Sequence, residues 1–146
     1  MSLRPILRWP DPRLSQPCGP AVPGPELDAL IRDMFETMYD APGRGLAGPQ
    51  VGAMLRVFVM DAGWKDGEMT PRACINPRIL WMSEETAVGP EGCLSIPGVT
   101  AQEVDLHGAE AIVAQHEYDH LDGLVHFDRL EPETRAALMA DYGALP

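Results

Sequence analysis

The chain has no apolar run long enough to cross a bilayer, no cluster of Lys and Arg, and no pairing pattern among its cysteines. Each absence excludes a class of function. A spanning helix needs about 20 predominantly apolar residues, so no membrane anchor is expected. At the N-terminus, Arg4, Pro5, Arg8 and Pro10 interrupt the stretch before the apolar core of a secretory signal can form, and the chain reads as cytoplasmic. Acidic residues outnumber basic ones by 22 to 11, for a net charge of −11. With no basic patch to neutralise phosphates or anionic headgroups, neither direct nucleic-acid binding nor a membrane surface is expected. Cys18, Cys74 and Cys93 are odd in number and far apart, which favours reduced thiols or a metal ligand over a disulfide framework. The 146 residues suit a single domain with one core, and no repeat or linker divides 1–146.

The residues that are present organise readily. Residues 1–25 are rich in Pro and turn formers and predict an irregular arm over the surface. From Glu26 to Asp40, Leu27, Leu30, Ile31, Met34, Phe35 and Met38 recur at helical spacing, with Pro25 at the first turn and Pro42-Gly43 as the stop. Strands are predicted through Arg56–Met60 and from Cys74-Ile75 to Leu80-Trp81, joined by a Gly-containing turn over Asp61–Gly67. A further short strand should cross Gly92–Ile96 and stop at Pro97-Gly98. Helical patterns follow from about Gly108 to Leu121 and from Pro132 to Tyr142. The fold class expected is α+β, with antiparallel strands packed around a central helix that carries the chemistry.

That helix contains His116-Glu117-Tyr118-Asp119-His120, an HExxH run. At this spacing the two imidazoles lie one turn apart on one face and can bind a single metal ion, while Glu117 is placed to act as general acid/base on the attacking water. Ile112, Val113 and Leu121 give the helix an apolar side, and burial makes unpaired imidazoles costly, which favours a ligand role. A catalytic centre of this kind takes three protein ligands. His126 is one candidate for the third, because His116, His120, Gly123 and His126 formally satisfy HExxHxxGxxH, the signature of one class of metalloprotease. However, only 20 residues follow His126, and Met139 lies in a predicted helix rather than in the turn that class needs beneath its site. Cys93 is the other candidate, since its thiolate is a strong ligand for iron(II), zinc or cobalt.

Three segments taken together bear on that choice. Gly43-Arg-Gly-Leu-Ala-Gly-Pro-Gln50, Glu91-Gly-Cys-Leu-Ser95 and Gln115-His-Glu-Tyr-Asp-His-Leu-Asp-Gly123 resemble, in order, the three motifs of peptide deformylases. The likeness extends to Cys74-Ile-Asn-Pro77, Ser95-Ile-Pro-Gly98 and Phe127-Asp-Arg129. The resemblance implies removal of the formyl group from N-terminal formylmethionine of new bacterial or organellar polypeptides. It implies one divalent ion, iron(II) natively and replaceable by zinc, nickel or cobalt, held by Cys93, His116 and His120. Glu117 would move the proton from water to the departing amine. The Gln50 amide and the Leu94 backbone N–H would stabilise the oxyanion on the formyl carbon. The formylmethionyl peptide would pair with the backbone near Arg44, Gly45 and Gly92 as an added strand. Ile112 and Val113 would wall the methionine pocket.

The chain also departs from the pattern. Between Cys93 and His116 it is shorter by roughly twenty residues, about one β-hairpin, so Val99–Gly108 must make the return alone. Arg44 stands where an apolar residue is usual, Gly48 replaces an alanine of the first motif, and His126 replaces an apolar residue. The tail is acidic (Glu131, Glu133, Asp141), unlike the basic extension by which some relatives are thought to dock at the ribosome, so ribosome docking is not expected. Two other classes remain open at this stage. One is a deformylase-like paralogue with changed or lost activity, and the other is a non-enzymatic metal-binding protein.

Overall fold

A computed structural model describes residues 2–78, 87–93, 96–104 and 108–125, with the backbone alone in 87–93, 96–104 and 108–110. The first long element is helix α1, Pro25–Asp40. Pro25 lacks the N–H that would be orphaned there anyway, and Glu26 and Asp28 place negative charge at the positive end of the helix. Its apolar stripe buries Leu27, Leu30, Met34 and Met38 as the spacing predicts. Pro42 follows the end of the helix, and the Gly43 N–H donates back to the Met38 carbonyl.

Strands β1 (Gly45–Ala47), β2 (Val57–Met60) and β3 (Arg72–Ile75) form an antiparallel sheet in that spatial order. Side chains on a strand alternate between faces, so β2 serves both sides of the sheet. Val57 and Val59, with Leu46 of β1, join the α1 core of Leu27, Leu30, Met34 and Met38. Phe58 and Met60, with Ala47, face the other way and pack with Leu121, Val113 and Ala114. These last three belong to α2, Gly108–Leu121. The sheet is therefore a wall between two helices, which explains why every residue of β2 is buried.

The sequence expectation is corrected in three places. β3 spans Arg72–Ile75, so it begins before Cys74. It ends at Asn76, which has φ 50 and ties its side chain to both the N–H and the carbonyl of Ala21. Pro77 then offers no donor to continue a ladder, and Leu80 and Trp81 lie outside the described residues. Second, Pro97-Gly98 does not stop the strand that begins at Ile96. β4 (Ala87–Cys93) and β5 (Ile96–Val104) pair antiparallel, and the register jumps from Cys93↔Ile96 to Gly92↔Thr100. Pro97 and Gly98 sit inside that irregularity, where a residue without an N–H is tolerated. β5 thus supplies the return that the shortened segment has to make. Third, the arm is more than a surface wrap. Leu14, within a 3-10 turn at Pro12–Ser15, is fully buried, and the Leu7 N–H donates to the Gln50 carbonyl at 2.7 Å. The expected helix over Pro132–Tyr142 lies outside the described residues. Among the described residues, no helix is long and apolar enough to cross a membrane.

Candidate metal centre

α2 brings His116, Glu117 and His120 to the sheet, and all three are buried. The two imidazoles meet edge to face with centroids 4.7 Å apart, and their Nε2 atoms are 3.1 Å apart. Two nitrogen lone pairs that close repel unless a proton or a cation lies between them. Nitrogens sharing one tetrahedral ion at about 2.0–2.1 Å stand about 3.3–3.4 Å apart, within a few tenths of the observed spacing. A ligand atom from each of His116, Glu117 and His120 falls within 4.8 Å of the others, so the donor set fits a divalent cation. Glu117 keeps its carboxylate beside the pair, with Oε1 3.7 Å from His116 Nε2.

β1 holds Glu117 in place from the opposite side. A Cβ on Gly45 would lie 2.9 Å from Glu117 Cγ, 3.0 Å from its Cδ and 2.7 Å from Val113 Cγ1. The bare backbone of Gly45 is therefore what Glu117 rests on. Val113 takes part in this contact and in the core shared with Phe58 and Met60, and both it and Ile112 are only partly buried. Gln50 follows on a 3-10 turn at Gly48–Val51 and is 1% exposed. Its Oε1 accepts from the Ala47 N–H at 3.0 Å, an assignment forced by the N–H, which can only meet an acceptor. The orientation of the amide is set by that bond. Gly48 has a local reason to be glycine, because a Cβ there would lie 2.6 Å from the Ala53 carbonyl oxygen.

The other expected site residues divide into three groups. Arg44 is part-exposed and 3.8 Å from Asp66, with its carbonyl accepting from the Asp61 N–H. Gly92 and Cys93 end β4 at the tip of the hairpin, described by backbone only. Leu94 and His126 lie outside the described residues. Sequence reasoning overlooked the scaffold behind Gly43–Gly45. Trp64 Nε1 donates to the Gly43 carbonyl at 2.8 Å, Tyr39 OH donates to Asp61 at 2.6 Å, and the Tyr39 and Trp64 rings meet edge to face. These residues are far apart in the chain and follow no periodic pattern that could have linked them.

The chain is also similar to known proteins along nearly its whole length. The polypeptide deformylase family model matches residues 3–102 and 100–136. The two pieces overlap inside β5, at residues 100–102. A peptide deformylase of Afipia carboxidovorans is 43% identical, covering 97% of this chain and 95% of the relative. That alignment runs over 162 positions against 146 residues here, so the relative carries residues this chain lacks. Among solved structures, a peptide deformylase from Legionella pneumophila is 34% identical with a TM-score of 0.87, covering 97% of this chain and 94% of that one. One from Ehrlichia chaffeensis in complex with actinonin is 32% identical with a TM-score of 0.88, covering 97% of this chain and 96% of that one. Matched along nearly its whole length in sequence and in fold, the chain belongs to the polypeptide deformylase family and is an enzyme of that kind.

Proposed function

We propose that the protein removes the formyl group from the N-terminal formylmethionine of newly made polypeptides, using one divalent ion held by Cys93, His116 and His120, natively iron(II). The observation that carries this reading is the buried His116–Glu117–His120 cluster pressed against the backbone of Gly45. When bound, the ion would polarise the formyl carbonyl and make water acidic enough to attack near neutral pH. Glu117 accepts a proton from the attacking water and returns it to the departing amine, a transfer for which its burial and fixed contact with Gly45 pre-position the carboxylate. Gln50, oriented by its bond to Ala47, donates to the developing oxyanion together with the Leu94 N–H.

β1 pairs with β2 on one side and is an edge strand among the described residues. The substrate backbone adds to that edge near Arg44 and Gly45, facing Gly92. Ile112 and Val113 border the methionine side chain. A narrow site of this kind admits a formyl group, whose acyl substituent is only hydrogen, and excludes larger acyl groups.

The shortened β5 region favours a second reading, a paralogue acting on another acyl amide. One assay separates the two. Protein loaded with iron(II) or cobalt(II) is offered formyl-Met-Ala, acetyl-Met-Ala and Met-Ala, and formate is expected from the first alone. Full metal occupancy without formate release overturns the deformylase reading, and acetate release from acetyl-Met-Ala supports the paralogue.

A further inference from the structure

The two histidines of α2 have separate supports. Gly45 backs the turn that carries His116 and Glu117, whereas the turn that carries His120 ends at Leu121 and leaves its last carbonyls without helical partners. Arg56, far away in sequence, meets that end. Its Nη1 donates to the Leu121 carbonyl at 3.2 Å and to Asp122 Oδ1 at 2.8 Å. Its guanidinium also lies 5.4 Å from the centroid of the Tyr118 ring. A cation at a helix C-terminus complements the dipole there, and the two hydrogens of the one Nη1 nitrogen can serve both acceptors at once.

Arg56 is itself firmly placed. Its N–H donates to the Gly19 carbonyl and its carbonyl accepts from the Asn76 N–H, each at 2.8 Å. The arm adds a second hold on the same helix end. The Cys18 N–H donates to the Leu121 carbonyl at 2.9 Å, and a Cβ on Gly123, which has φ +79, would lie 2.8–2.9 Å from the backbone of Ser15 and Gln16. The last turn of α2 is thus docked against β2 and the arm, with the fully buried His120 immediately before the gripped carbonyl.

We infer that Arg56 is a positioning residue of the metal centre, acting through the last turn of α2 to hold His120 Nε2 opposite His116 Nε2. This rests on the metal-binding reading above. Partners behind metal ligands typically change metal affinity by about 10–100-fold when removed.

The test loads the full chain with cobalt(II), follows its visible spectrum, and measures the rate of ion release to a chelator together with the thermal midpoint of the metal-free protein. Arg56→Met is expected to release cobalt about tenfold faster and to alter the spectrum. Arg56→Lys, which keeps the charge but not the planar guanidinium near the Tyr118 ring, should fall between it and the parent and covers the case in which the methionine variant does not fold. Asp122→Asn should stay within about twofold, because a part-exposed ion pair contributes little once the carbonyl cap remains. A control on α1, Leu30→Val, lowers stability away from the site. Release from both Arg56 variants at the parent rate, or no faster than from the α1 control at equal thermal midpoint, overturns the inference. A parent protein that takes up no cobalt overturns instead the metal reading beneath it.

Discussion

Gly45 and Glu117 are in such close contact that one excludes a side chain on the other, since a Cβ on Gly45 would come within 2.9 Å of Glu117 Cγ. Ordinarily a change from Gly to Ala in a strand stabilises by about 0.4–1 kcal/mol through the unfolded chain. Here the added methyl must push Val113 or the Glu117 side chain, whose carboxylate is the proposed general acid/base. Gly45→Ala is expected to lower kcat by about 100-fold while the metal content stays at the parent level. Unchanged kcat would show that Glu117 yields without consequence.

Glu117→Gln separates catalysis from ligation. As general acid/base it should cost about 10²–10⁴-fold in kcat and leave the ion in place, whereas His120→Ala should lose both. Metal analysis of Cys93→Ala and His126→Ala decides the third ligand, and loss confined to the His126 variant would displace Cys93 from the site.

Gln50 has a structural partner and a proposed catalytic one. Gln50→Ala removes the acceptor for the Ala47 N–H, a loss of about 1–3 kcal/mol for a buried donor, measurable by urea unfolding. The same change removes an oxyanion donor, and kcat should fall by about 10²–10³. A fall in stability without a fall in kcat would assign Gln50 to the scaffold alone.

Gly48 departs from the family pattern, in which alanine is usual, yet restoring that alanine should harm this chain. The Ala53 carbonyl oxygen lies 2.6 Å from where the Cβ would go, and backbone cannot give way as a flexible side chain would. Gly48→Ala is expected to destabilise by about 1–3 kcal/mol, read as a lowered midpoint in denaturant.

Tyr39 provides a test in alkali. Burial, and then its hydrogen bond to Asp61 and the charge of that carboxylate, push its pKa from 10.0 up to about 12. The fold prefers the protonated phenol, so its contribution to stability is whole below about pH 10 and is lost as the pH rises through about 12. A phenolate absorbance titration should show a late step, and Tyr39→Phe should remove it. The stability gap between parent and Tyr39→Phe should close over the same interval.

What the sequence determined was local. α1 and α2 follow from apolar residues repeating every third or fourth position, and the place of His116, Glu117 and His120 on one helix follows from a spacing of one turn. The β-branched and aromatic run Arg56–Met60 marked a strand, and its two buried faces appear only once the sheet lies between α1 and α2. Tertiary structure decided the rest, because each remaining feature depends on a partner many residues away. The run of β5 past Pro97-Gly98 depends on pairing with β4. The need for glycine at 45 comes from Glu117, and the role of Arg56 comes from a carbonyl at Leu121. The HExxH run therefore marks the helix on which the buried His116–Glu117–His120 cluster forms, while the backbone of β1 and the guanidinium of Arg56 meet that helix from distant parts of the chain.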